Sequence, residues 1–230
     1  GYFIFRDEYI DLIYDAGKIG PDELTAHSHG DIFSFELCVE GHRVFVDKGV
    51  FEYKEGVLRD QSRSSESHNT LSLDGNGQAE FWSSFRTGRR PNVSINQHVI
   101  NNSILEVDAQ HDGFSYLKGN PIHRRIFKFD NNKKIIHISD FVKSNNCHKV
   151  ISGLLLHPQV KIIKKEDNSL EMKIGNWKIN VVSKNLNIIL KDEKWWPNLG
   201  VEYPCKKILF SYPSNTLNSD IYIELLREKQ

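Results

Sequence analysis

The sequence predicts an all-β protein, a large antiparallel two-sheet β-sandwich. Apolar residues almost never recur at the helical period, short runs alternate apolar with polar residues, and compact turn signals separate those runs. No strand–helix–strand alternation is visible, which argues against a parallel sheet.

The runs follow in order. "YFIFR" and "YIDLIYDA" open the chain. In "IFSFELCVE", Phe33, Phe35, Leu37 and Val39 fall on one face, with Ser34, Glu36 and Glu40 on the other, the pattern of a half-buried antiparallel strand. "HRVFVD" ends at Asp47, and the polar, non-periodic stretch 54–69 reads as a loop. "NTLSLDG" leads into the turn signal "DGNG", and 83–92, "SSFRTGRRPN", is a second polar loop. Beyond it come "ILEVDAQ", "HRRIFKF", "KIIHISDFV" and "VISGLLLH", the last ending in an "HPQ" that reads as a strand end at His157. "VKIIKK", "LEMKI", "WKINVV", "LNIIL", "KKILFSY" and "IYIELL" complete about fifteen candidate strands. "DEKWWPNLGVEYP" reads as a loop whose Trp195 and Trp196 could offer one aromatic face to a sugar.

The 230 residues suit one domain, and no linker or repeat divides them, so residues 1–230 read as a single unit. The chain opens on Gly and runs directly into a strand, as a piece of a longer protein would. Thirty basic and thirty acidic residues balance, which excludes a general nucleic-acid binder. The charges are unevenly placed: residues 1–60 carry 6 Lys/Arg against 13 Asp/Glu, and residues 118–149 carry 8 against 2. No apolar run is long enough to span a membrane. Cys38, Cys147 and Cys205 have no metal-type spacing, and their odd number excludes a complete disulfide framework. Arg59, Arg63, Arg86, Arg89 and Arg90 fall in the two polar loops. Guanidinium forks suit carboxylates and sulfates, so Arg59, Arg63 and Arg89 are candidate substrate contacts, set against the plainer reading of surface salt bridges.

The chemistry concentrates in "TAHSHGDIFSFEL". On an extended chain His27, His29 and Asp31 would point to the same face. Asp47 lies 18 residues after His29, and His68 lies 39 after it. His29, Asp47 and His68 make two imidazoles and a carboxylate, which suits zinc or another borderline divalent ion with one position open. The competing reading is ordinary: a lone histidine in a β-protein is usually a satisfied core or surface residue. His42, His98, His111, His137 and His148 are read that way.

Taken together, His27-Ser28-His29-Gly30-Asp31, Asp47-Lys48-Gly49, Arg63-Ser64 to His68-Asn69-Thr70, and Asp74-Gly75 to Gln78 resemble the β-sandwich domain of the heparinase II/III-like family. Those enzymes are polysaccharide lyases related to oligoalginate lyases. The resemblance implies that His27 is catalytic, and that His29, Asp47 and His68 hold a divalent metal, usually zinc, near the active cleft. It implies β-elimination on a uronate: a base removes the C5 proton, the uronate carboxylate is neutralised, and an acid protonates the leaving glycosidic oxygen. Family members place an α/α-toroid domain before the sandwich, and it completes the cleft and supplies a catalytic tyrosine. By the same resemblance the substrate is an anionic polysaccharide or oligosaccharide, and the enzymes work in the periplasm or outside the cell. Lys48 departs from the pattern, where a small residue is favoured between Asp47 and Gly49.

Two other readings compete. A metal-stiffened sandwich could bind glycan or pack on a partner domain without turnover, in which case cleavage would not need His27. A cupin-type metalloenzyme also begins with H-x-H on a strand, but it wants a Glu three or four residues on. Here the gap to Glu36 is longer, and the second cupin motif is missing.

Overall fold

A computed structural model of the chain describes residues 1–184, 186–214 and 219–228. Strands β1 (Tyr2–Arg6), β2 (Ile10–Asp15), β3 (Phe35–Val39) and β4 (His42–Phe45) form an antiparallel sheet in sequence order. Helix α1 (Val57–Arg63) and a 3-10 turn (Ser65–Ser67) lead into β5 (Leu71–Leu73). A small hairpin of β6 (Phe81–Trp82) and β7 (Arg86–Thr87) precedes β8 (Val93–Ile100), β9 (Ile104–His111), β10 (Ile122–Asp130) and β11 (Ile135–Lys143). Then come β12 (Lys149–Leu155), β13 (Lys161–Lys165), β14 (Ser169–Ile174), β15 (Trp177–Lys184), β16 (Ile188–Asn198), β17 (Val201–Pro213) and β18 (Ser219–Arg227).

The large sheet has the order β13-β14-β15-β18-β11-β10-β9-β8, and a second four-stranded sheet runs β16-β17-β12-β5. The two smaller sheets meet edge to edge. Phe45 at the end of β4 bridges Leu156, the Val46 amide donates to the Leu155 carbonyl at 3.0 Å, and the His157 amide donates to Val44 at 2.9 Å. Together they form the layer that faces the large sheet. Tyr14 of β2 stacks on Phe127 of β10 at 4.5 Å between ring centroids, and Phe5 meets Phe129 edge-on at 5.0 Å. Each such pair contributes about 0.5–1.5 kcal/mol beyond the apolar area it buries. The expected all-β sandwich is the observed fold.

Alternation explains most strands. Along β9 and β10 every second side chain is buried, and in β1 Phe3 and Phe5 turn inward between exposed neighbours. Strand β8 carries almost no such signal, because at the edge of the large sheet nearly all its residues are exposed.

Three local expectations change. Residues 25–34 are loop, and pairing begins only at Phe35, opposite Tyr14. The Ser34 amide turns back onto the Asp31 carbonyl at 2.9 Å, and Phe33 sits at φ 69°, so the chain cannot stay extended through His27, His29 and Asp31. The stretch 54–69 contains α1, a single polar helix anchored by buried arginines and not by an apolar stripe. Trp195 and Trp196 lie within β16, and both are buried. A register shift between Trp195 and Asn198 breaks strict alternation, and the Trp196 amide donates to the Lys48 carbonyl at 2.7 Å. Neither tryptophan presents a free face for sugar. No described helix is long and apolar enough to cross a membrane.

Candidate active site and metal cluster

The loop 25–34, the end of β4 and the turn after α1 converge on one corner of the sandwich. His68 is fully buried there, and its Nδ1 donates to Asp47 Oδ2 at 2.5 Å. Asp47 Oδ1 also accepts from the Gly49 amide at 2.9 Å, which holds the carboxylate in place. That leaves His68 Nε2 buried with no partner among the described residues. A buried imidazole nitrogen without a hydrogen bond is costly, and a bound cation is one way to satisfy it.

His29 faces it, with ring centroids 5.3 Å apart. One donor atom each from His29, Asp31 and His68 lies within 4.8 Å of the others, close enough to share an ion. The structure therefore brings two of the expected ligands, His29 and His68, together with Asp31, while Asp47 stands behind His68 rather than among these donor atoms. It also distributes the carboxylates: Asp31 belongs to the His29–His68 cluster, and Asp47 grips His68 through Nδ1. For a divalent ion the donor types fit, with two imidazoles, one carboxylate and an orphaned nitrogen in one place, and Asp47 orienting the His68 ring from behind.

The charges respond to this crowding. Burial pushes His29 down to about 3, helped by the neighbouring His68, so its imidazole is neutral and available as a ligand. Burial raises the Asp31 carboxyl to about 7, against the pull of His68. Asp47 resists the same burial and stays well below the usual carboxylate range, because His68 lies against it. His68 is raised in return: burial opposes its charge, and Asp47 outweighs burial.

His27 is exposed and stands beside the cluster. Its ring meets Tyr53 edge-on at 5.3 Å and Phe85 at 5.5 Å. A cleft of about 350 Å³ is lined by Tyr2, Leu24, His27, His29 and Asp31, so the exposed His27 imidazole and two of the clustered groups open onto the same space. Neither Tyr53 nor Phe85 is marked in the sequence. Both sit in loops, where no period marks them.

The arginines correct the expectation of direct substrate contact. Arg59 and Arg63 are both fully buried. Arg59 donates Nε–H to the Ser84 carbonyl at 2.8 Å and Nη1–H to His29 Nε2 at 3.3 Å, and its guanidinium lies 5.1 Å from the Tyr53 ring centre. Arg63 donates to the carbonyls of Ser28 and Arg86, each at 3.0 Å, and to Thr87 Oγ1 at 2.8 Å. They tie loop 25–29 to loop 83–87 and so position His27 and His29. Arg89 is half-buried, donating to the carbonyls of Gln78 and Gly113 with its guanidinium 3.7 Å from the Tyr116 ring centre.

A second network, which the sequence did not reveal, braces the site from inside. Arg125 and Asp140 are fully buried and pair through two 2.7 Å bonds. His123 Nε2 lies 2.8 Å from Asp140, and His111 Nε2 lies 3.0 Å from His123 Nδ1. Arg125 Nη1 also donates to the carbonyls of Phe33 at 2.7 Å and Asn69 at 2.9 Å. Those carbonyls lie two residues after Asp31 and one after His68.

Comparison with known proteins agrees with this architecture. The model of the heparinase II/III-like C-terminal family matches residues 1–224, and the chain belongs to that family. A heparan sulfate lyase, HepC, from Pedobacter heparinus superposes with a TM-score of 0.81 at 18% identity over 100% of this chain and 36% of that one. A heparinase III superposes at 0.80 and 18% identity, covering 99% and 35%. A mutarotase-like protein from Salmonella typhimurium shares the fold more loosely, at 0.51 and 10% identity, over 99% of this chain and 94% of its own. The sequence matches none of the curated proteins compared with it. The chain spans about a third of the length of the lyases it resembles.

Proposed function

We propose that this chain is the β-sandwich half of a polysaccharide lyase that cleaves uronate-containing anionic glycans by β-elimination, its cleft completed by an upstream α/α-toroid domain. The observation that carries the reading is an exposed histidine beside a half-buried cluster of two imidazoles and a carboxylate at one cleft, in a domain of a polysaccharide lyase family. His27 is the residue that exchanges a proton with substrate, a role open to an imidazole near neutral pH. Tyr53 and Phe85 beside it offer aromatic faces for a sugar ring.

His29, Asp47 and His68 are the residues proposed to hold a divalent ion, zinc by the character of the donors, with Asp31 as the further carboxylate of the same cluster. Bound there, the ion supplies positive charge that neutralises the carboxylates and fixes loop 25–34. The chain's own residues do the rest. Asp47 orients the His68 ring, Arg59 steadies His29, and Arg63 holds the Ser28 carbonyl between the two histidines. The periplasm or the cell exterior is the proposed place of action, where such glycans occur.

Elemental analysis of the chain purified without chelator tests the ion. About one zinc per chain is expected, lost in His68→Ala, and Asp47→Asn against Asp31→Asn identifies the carboxylate that matters more. No metal in any of them would remove the cluster's proposed role. The lyase reading is tested in the protein that includes its upstream domain, by the ultraviolet absorbance of the unsaturated product. His27→Ala should lower the rate by about 10²–10⁴, the range for general acid–base groups. Unchanged cleavage would exclude His27, and binding without cleavage would leave a glycan-binding module.

A further inference from the structure

Behind the ion cluster, on the other side of the 64–70 segment, lies a separate cavity of about 260 Å³ that nothing in the reading above uses. Two lysines reach into its wall and are almost completely buried, Lys48 at 4% exposure and Lys207 at 3%. Lys48 has a counter-ion, Glu193, at 3.0 Å, and its ammonium lies 4.4 Å from the Trp196 ring centre. Lys207 has none. Its Nζ donates to the backbone carbonyls of Glu66 at 2.5 Å and His68 at 3.2 Å, and among the described residues no other acceptor meets its third hydrogen.

A buried ammonium held only by carbonyls is unfavourable, and an anion would relieve it. Three lysines line the cavity, Lys48, Lys191 and Lys207, against two glutamates, Glu66 and Glu193. The net charge is positive. Ser72 also lines the cavity, and its hydroxyl has only a long 3.5 Å contact to Glu66, so it can turn toward a ligand. The volume falls below the roughly 300–1,000 Å³ of clefts that hold whole ligands, which suits one small group and not a saccharide chain.

We propose that this cavity binds a small oxyanion, a sulfate or carboxylate group, between the ammonium groups of Lys48 and Lys207. The His68 carbonyl accepts from Lys207, so the bound anion would rest against the segment that carries an ion ligand. The proposal does not depend on lyase activity or on the metal.

The test is isothermal titration calorimetry of the intact chain with sodium sulfate at pH 7, against sodium chloride at matched ionic strength. A saturable single site for sulfate and none for chloride is expected. Lys207→Met should weaken sulfate at least about tenfold, the effect of losing one charge-assisted hydrogen bond. Glu193→Gln should tighten it, since Lys48 then loses its internal counter-ion, and Lys161→Met on an exposed strand should leave it unchanged. Methyl sulfate that competes with sulfate would point to an ester-borne group, and methyl sulfate that does not would leave the free ion as ligand. Both support an oxyanion site. Absence of saturable binding overturns the proposal. So does an affinity that Lys207→Met leaves unchanged or, should that variant fail to fold, one that Glu193→Gln fails to tighten.

Discussion

Arg125→Met tests whether the buried network under the site is integral to it. The side chain is fully buried, makes two 2.7 Å bonds to Asp140, and donates to the Phe33 and Asn69 carbonyls at 2.7 and 2.9 Å. Methionine fills similar volume and removes every donor. Asp140 is left as a buried carboxylate with only His123 nearby, and two buried carbonyls lose their partner. Breaking one side of a buried ion pair costs about 3–5 kcal/mol. At about 2–4 °C per kcal/mol for a chain of this length, the melting temperature should fall by about 6–20 °C. Urea and thermal unfolding at pH 7 measure it directly. Arg125→Met with Asp140→Leu should recover much of the loss, because the stranded charge is gone. A loss under about 1 kcal/mol in the single variant, or a double variant worse than the single by a similar margin, would refute the account of Arg125 as the clamp between the two site-bearing segments.

Three further outcomes are expected. His111 and His123 are held below the ordinary histidine range, chiefly by burial, so they are neutral when folded and protonate when unfolded. Stability should therefore fall as pH drops below about 6.5, by up to about 1.4 kcal/mol per unit for each group. His111→Gln should flatten that slope between pH 6.5 and 5 in a thermal titration, and parallel profiles would rule the pair out as its source. Gly49→Ala should destabilise by more than the roughly 1–2 kcal/mol of a left-handed residue, since Gly49 sits at φ 81° and an added Cβ would lie 2.0 Å from the Trp196 carbonyl oxygen. Denaturant midpoints matching the unsubstituted protein would show that the Gly49–Trp196 crossing can relax. Arg63→Met, which frees the Ser28 and Arg86 carbonyls, should raise backbone hydrogen exchange in residues 25–29 and 83–87 before it affects the large sheet. Uniform exchange changes would remove Arg63 from its positioning role.

The sequence by itself determined the class of fold, because period-2 burial is written residue by residue along strands such as Ile104–His111 and Ile122–Asp130. It also marked His27, His29, Asp47 and His68, whose order and spacing survive as text even where the backbone between them is irregular. What it could not show depends on contacts distant along the chain. His27, His29 and Asp31 gather through a turn at Asp31–Ser34, and no alternation along a strand reports a turn of that kind. Arg59 and Arg63 look like surface charge until tertiary packing buries them against carbonyls from loops 25–29 and 83–87. Arg125 and Asp140 lie on neighbouring strands, yet their importance comes from Phe33 and Asn69, which are 92 and 56 residues from Arg125 in sequence. Local patterning decides which side of a strand is buried. Only the closed sandwich decides which buried polar groups find one another, since each must find a partner once water is excluded.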